Sequence, residues 1–239
     1  MLEQCYQSMI DRVKALMAQQ VQNEKEKRQA EIRILQEQIN PHFLYNTLDT
    51  LKWKAYESDN EEMVSMIQAL SSFFRISLSK GSAWIPLAKE LEHVQSYLSI
   101  QKVRFADILH YDFDVDADPN LMVPKILLQP LVENAIQHGI RPKLAPGTIH
   151  IILRQTDAHL LVTISDDGVG IPPDRLAQIQ QEISTLTPQS CYGLINVCNR
   201  IQLEYGSAAS VQLASQQGCG TTLILTLPTQ KGASLCTDC

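Results

Sequence analysis

Leu128-Gln129-Pro130-Leu131-Val132-Glu133-Asn134-Ala135-Ile136-Gln137-His138-Gly139 is the stretch on which the fold of this chain turns. It closes a segment, 123–138, whose apolar spacing predicts a helix. Leu128, Leu131, Val132, Ala135 and Ile136 recur in steps of three and four and share one face. The other face carries Gln129, Glu133, Asn134, Gln137 and His138. A solvated face usually mixes lysine with glutamate. One made of amides, a carboxylate and an imidazole suits the wall of a polar site at least as well.

Around this helix the chain alternates short β-like runs with helical segments. Runs at 109–115, 148–155, 160–165, 210–214 and 221–227 read as strands, and 174–184 and 193–205 as further helices. The pair 149–154 and 160–164 has hairpin spacing. The expectation is an α+β domain, a mixed sheet covered by helices on one face. Three glycine-bearing turns interrupt it. Ser165-Asp166-Asp167-Gly168-Val169-Gly170-Ile171 follows a strand, Gly193-Leu194 opens a helix, and Gly218-Cys219-Gly220-Thr221 precedes the last strand. Such glycines let backbone approach a ligand, although each turn alone is ordinary.

Upstream, Gln38-Ile39-Asn40-Pro41-His42-Phe43-Leu44-Tyr45-Asn46 sets a histidine directly behind a proline. Apolar residues at Ile10, Val13, Met17, Val21, Ile32, Leu35 and Ile39 predict a long helix with a narrow seam, interrupted over 22–30. Inside a helix a proline removes one hydrogen bond and costs roughly 3 kcal/mol. A loosened turn there would make His42 accessible, and an imidazole that is largely neutral at pH 7 offers a nucleophilic lone pair. A core histidine at a kink is the simpler account of that segment taken alone. A second helix begins after Asp59-Asn60-Glu61-Glu62, a capping side chain followed by acids, and is expected to run to Gly81. Two such helices, each with one apolar face, predict a hairpin that dimerises into a four-helix bundle. A third helix is expected over 86–105, and a domain boundary near 80–86.

Composition narrows the classes. Twenty basic and 26 acidic residues give −6, so the chain has no bulk attraction for nucleic acid. No run approaches 18 apolar residues, so no membrane span is expected within these residues. The 6 cysteines lack zinc-ligand spacing; only Cys236 and Cys239 form a close pair, and a reduced, cytoplasmic setting is expected.

In order and spacing these elements resemble the nucleotide-binding boxes of the ATPase superfamily shared by sensor histidine kinases, type II topoisomerases and the Hsp90 chaperones. The stretch 128–139 matches the N box, Asp166-x-Gly168-x-Gly170 the first glycine box, Gly193-Leu194 the end of the second, and Gly218-x-Gly220-Thr221 the third. With the Gln38–Asn46 run, residues 31–228 look like a two-component sensor histidine kinase of the YesM/LytS-like class. Residues 6–17 also look like the second helix of a HAMP-type linker. The resemblance implies a linker helix over 1–30, a dimerisation and phosphotransfer hairpin over 31–85, a two-layer Bergerat-type ATP-binding domain over 86–229 and a polar tail over 230–239. Such a segment would be the cytoplasmic part of a receptor anchored in a membrane upstream.

Roles follow from the same resemblance. His42 would take the γ-phosphoryl group of ATP and pass it to an aspartate in the receiver domain of a response regulator. Asn134 would ligate Mg²⁺, a hard cation that bridges phosphates while keeping waters. Asp166 would accept from the adenine amino group, with Gly168 and Gly170 giving the ring room. Gln137 and His138 would touch phosphate or ribose, and Gly193, Leu194, Gly220 and Thr221 would line the nucleotide, with residues 171–192 as a lid. Asn46, one turn beyond His42, is the candidate for positioning a dephosphorylating water.

Three departures from the pattern stand out. Phe43 occupies the place where many histidine kinases carry an acid. Pro130 stands where ATP-hydrolysing relatives carry a glutamate, and the role of Glu133 stays open. Cys191 replaces a usual glycine. Phe43 and Cys191 motivate an alternative, a catalytically weak, nucleotide-binding dimeric scaffold. A serine kinase of the anti-sigma-factor type shares the ATP fold but requires neither the long hairpin nor His42.

Overall fold

The computed structural model describes residues 41–79, 82–105, 108–186 and 192–229. The expected linker helix and apolar seam, Gly81, Cys191 and the polar tail lie outside them. Contacts divide the chain into two units, with the division between Thr47 and Leu48. Helix α1 spans Pro41–Glu57.

Helix α1 ends in a tight turn at Ser58–Asn60, where Asp59 takes φ 53° and the Asn60 amide donates to the Ala55 carbonyl at 3.2 Å. Helix α2 (Glu61–Ser77) starts as its sequence demands. The Asn60 side-chain oxygen accepts from the Met63 amide at 2.9 Å, and Glu61 and Glu62 fill the first turn. Leu48 and Ala55 on α1 and Val64, Ile67 and Ile76 on α2 are buried. Leu51, Trp53, Tyr56, Met63 and Met66 stay exposed, leaving the hairpin with an apolar surface.

The remaining elements are β1 (Trp84–Pro86), α3 (Leu87–Arg104), β2 (Leu109–Asp116), β3 (Met122–Pro124), α4 (Gln129–Asn134), a π-helical turn (Ala135–Ile140), α5 (Arg141–Lys143), β4 (Gly147–Gln155), β5 (His159–Asp166), α6 (Pro173–Thr185), α7 (Tyr192–Tyr205), β6 (Ser210–Gln216) and β7 (Gly220–Pro228). The main sheet has the order β2-β4-β5-β7-β6; β2 and β4 are parallel and the other neighbours antiparallel. Ile149, Ile151, Leu153, Leu160, Val162, Ile164, Leu223, Leu225 and Leu227 alternate along three strands and are all buried, whereas their neighbours are mostly half-buried or exposed. One face of the sheet therefore carries the core, and Leu98, Leu128, Val132, Ile136, Leu194 and Ile201 from the helices join the same apolar cluster. The architecture is the expected α+β.

Helix α2 packs against α3. Phe73 stacks on His93 with ring centroids 4.7 Å apart, and His93 Nε2 meets the Ser77 hydroxyl at 2.8 Å. Burial, with the Lys125 charge nearby, lowers the His93 pKa to about 4.

One helix differs from its expectation. The segment expected to be helical from residue 123 starts as β3, which pairs with β1 in the register Trp84↔Pro124, Ile85↔Val123 and Pro86↔Met122. The helix begins only at Gln129, because the turn before it is held open. Ile126 sits at φ 58°, and the amides of Ile126, Leu127 and Leu128 all donate to the buried carboxylate of Glu90 at 2.7–2.8 Å. Pro130 thus falls in the first turn of α4, where a missing N–H leaves no gap in the ladder.

Candidate functional site

Asp166 ends β5, at 9% exposure, and its carboxylate accepts from the Gly168 amide at 2.9 Å and from the Thr221 amide. Burial raises its pKa, while those two N–H bonds pull it back down. The next residue has a different duty. Asp167 accepts from the Thr148 amide at 2.8 Å and pairs with Lys143 at 3.2 Å, tying the turn to β4 and α5.

The space around Asp166 is closed by glycines. A Cβ on Gly139 would strike the Asp166 carboxylate, and one on Gly168 would strike the backbone of Gly139. Gly220, at φ 99°, lies so close to the Asp166 carbonyl that a side chain there is excluded by space and by backbone conformation alike. The glycines thus let three backbone segments close around Asp166, Gly139 against its carboxylate, Gly168 against Gly139 and Gly220 against its carbonyl. Ser215 joins the other two turns: its hydroxyl accepts from the Ile171 amide at 2.9 Å and donates to the Gly220 carbonyl at 2.7 Å.

A cavity of about 340 Å³ opens beside this cluster. Asn134, His138, Asp166, Gly170, Gly193, Leu194 and Thr221 line it, seven of the positions singled out from the sequence. Gln137, Gly168 and Gly220 do not line it. Gln137 instead accepts from Arg141 at 3.1 Å, and the two glycines serve the packing just described. Leu131, Ile164, Ile171, Ile179, Leu213 and Leu223 supply an apolar floor, of which sequence reading places only Ile171 and Ile179, in the lid, and Arg175 is the one lysine or arginine of the lining. Glu133 is exposed and lies outside the lining. Ile171, Pro172, Arg175 and Ile179 fall within the expected lid, most of which is the ordered helix α6.

Asn134 is the last residue of α4, where the ladder passes into the π-helical turn 135–140. Such turns are uncommon and frequently coincide with sites. Gly193 at the start of α7 is close by, with Asn134 Oδ1 3.7 Å from where its Cβ would be.

The donor set bears on which groups fit. An apolar slot ending in a buried carboxylate suits a flat, amino-bearing heterocycle such as adenine. Asn134 brings one neutral oxygen, and no cluster of three metal-ligating side chains occurs among the described residues. That suits Mg²⁺ held largely by phosphates and water, not a protein cage.

His42 and Asn46 stand in the first unit, one turn apart on α1 and both exposed. The Asn46 amide nitrogen lies 3.4 Å from His42 Nδ1, at the outer limit of a hydrogen bond. Phe43 is 70% exposed. Pro41 opens the described part of the helix.

Comparison with known proteins adds the following. The family model described as "Histidine kinase" matches residues 30–109, and that described as "Histidine kinase-, DNA gyrase B-, and HSP90-like ATPase" matches 123–231. The chain is 31% identical over 229 residues to the sensor histidine kinase YesM of Bacillus subtilis, covering 95% of this chain and 38% of that protein. It is 35% identical over 204 residues to the sensor protein LytS of Streptococcus mutans, covering 85% and 35%. The chain therefore spans little more than a third of the curated relatives it matches. Among solved structures, the histidine kinase domain of the Erythrobacter litoralis EL346 blue-light activated histidine kinase aligns at TM-score 0.46 and 18% identity, over 80% of this chain and 86% of that one.

Proposed function

We propose, for a chain that belongs to the histidine kinase family through both of its modules, that it moves the γ-phosphoryl group of ATP onto His42 and from there to an aspartate of a response regulator. The observation that carries this reading is the cavity that joins Asn134, His138 and Asp166 over an apolar floor. Asp166 accepts from the adenine amino group, and Asn134 offers its oxygen to Mg²⁺. Bound there, the cation neutralises phosphate charge. The chain's own part is positioning: the glycine-packed turns fix Asp166, and the α4 junction fixes Asn134. His42 is the acceptor because it is exposed on a helix and can offer a ring nitrogen to an incoming phosphoryl group. Asn46, within reach of its ring, orients the water that later removes phosphate from the partner.

The protein acts as a homodimer, the exposed apolar residues of α1 and α2 meeting their copies in a four-helix bundle. The division into a linker over 1–30, hairpin over 31–85, ATP-binding domain over 86–229 and tail over 230–239 belongs to the same proposal. So does its place as the cytoplasmic part of a longer, membrane-anchored receptor; among the described residues no helix is long and apolar enough to cross a membrane.

Incubation with γ-labelled ATP and Mg²⁺ tests the reading. An acid-labile, base-stable label on the wild type that disappears in His42→Ala is the expected result, and equal labelling of the variant overturns it. Tight nucleotide binding with no transfer over hours would instead favour the scaffold reading that Phe43 suggests.

A further inference from the structure

The turn Lys125–Leu128, between β3 and α4, is tied from three directions by groups that the reading above leaves unused. From α3, the fully buried Glu90 accepts from the Ile126 amide through Oε2 at 2.8 Å and from the Leu127 and Leu128 amides through Oε1 at 2.7 and 2.8 Å. From the turn itself, the Lys125 ammonium donates to the Ser77 and Ser79 carbonyls at the end of α2, each at 3.0 Å. From α7, Arg200 donates to the Ile126 carbonyl at 3.4 Å.

These tethers impose a conformation the local sequence does not favour. Ile126 is β-branched and sits at φ 58°, where such residues rarely go. A carboxylate removed from water is tolerated only when its oxygens are satisfied, and three N–H donors with the Arg200 charge nearby meet that condition. Burying an acid at this place needs a reason beyond filling space, since an apolar side chain would fill it without desolvating a charge.

The reason lies downstream. Asn134 follows Leu128 by six residues, roughly 9 Å of helix. It stands where the α-helical ladder gives way to the π-helical turn, so its orientation depends on how both ends are anchored. Gly139 against Asp166 anchors one end, and the 125–128 turn anchors the other.

We propose that Glu90 is a positioning residue for Asn134: by holding the 125–128 turn it sets the asparagine oxygen where Mg²⁺ would be held. This inference rests on the kinase reading above. Lys125 is the second tether of the same turn and links it to the end of α2.

The test compares affinity for a non-hydrolysable ATP analogue in excess Mg²⁺ and in EDTA, on the full chain. Wild type is expected to bind more tightly with magnesium. Glu90→Gln places an amide N–H against the Ile126 N–H and is expected to lose about tenfold of the magnesium-supported affinity, the scale seen for residues that orient a metal ligand. Its magnesium-free affinity, set by Asp166 on β5, stays within about twofold of wild type by the same reasoning. A purely structural role would weaken both conditions alike, and that outcome overturns the inference. If Glu90→Gln shows no cooperative melt, Lys125→Met, which leaves the carboxylate satisfied, must show the same selective loss. Retention of the full magnesium effect in the folded variants overturns this inference alone, as does a wild type that binds the analogue without any magnesium effect. A wild type that binds no analogue under either condition overturns the kinase reading and this inference together.

Discussion

His42 and Asp166 mark two opposite ways of placing a functional group. The imidazole stands exposed on α1, among Phe43, Asn46 and Thr47, all exposed. The carboxylate is nearly buried, held by two amides, with Gly139 packed directly against it. On the proposed function, an acceptor that must meet two other molecules in turn has to be presented, and a group that must discriminate one ring has to be built into a wall. The difference predicts that substitutions at the first place change chemistry without stability, and at the second place often change both.

Removing the exposed group gives the largest effect on function. His42→Ala is expected to abolish histidine labelling entirely, with the free energy of urea unfolding shifted by less than ~0.5 kcal/mol, the usual range for an exposed side chain. A large loss of stability would break the comparison. Asp166→Asn should weaken nucleotide binding about 10- to 100-fold, as calorimetry would show, because a charged acceptor is replaced by a neutral one. It should also lower the melting temperature, since an amide has only one accepting oxygen and the Gly168 and Thr221 amides both need one.

The buried side also predicts a pH dependence. His93 has a pKa near 4 in the folded protein, below the ordinary 6.5 of the unfolded chain. The unfolded chain therefore takes up the proton first, so this contribution to stability is complete above pH 6.5 and is lost as pH falls toward 4. The loss is about 3 kcal/mol at most, and His93→Phe, which keeps the stack on Phe73, should flatten that part of a denaturation-versus-pH curve. Gly168→Ala should lower stability by about 1–3 kcal/mol in urea, because the added methyl meets the Gly139 backbone rather than a flexible side chain. The smallest change is expected at Lys89→Ala. The Lys89–Glu92 pair on α3 is short at 2.7 Å but solvent-exposed, and its loss should shift stability by less than ~0.5 kcal/mol.

Much of this was legible beforehand. The five strands of the main sheet and helices α6 and α7 fall within two residues of their expected bounds, since period-two and period-3.6 patterns survive in segments with a single buried face. Helix α4 was not so legible: apolar spacing over 123–136 suits a helix, but the chain spends 122–124 pairing with β1. Glu90 stands in the first turn of α3, where dipole chemistry alone would explain an acid. Nothing local reveals that it reaches residues 126–128. Ser215 and most of the apolar floor were equally silent, being ordinary residue types that acquire a role only from their neighbours.

The sequence by itself determined the elements, the one-sided core and the motif residues around Asn134 and Asp166, because periodicity and glycine placement act over a few residues of chain. Tertiary structure alone decided where α4 begins, which glycines face the cavity and which only permit close packing, and what Glu90 holds. Those outcomes depend on contacts between segments far apart in the chain, such as Glu90 with Ile126, 36 residues on, and Ile171 with Ser215, 44 residues on. There a buried group must find its partner in space, and chain spacing carries no record of it.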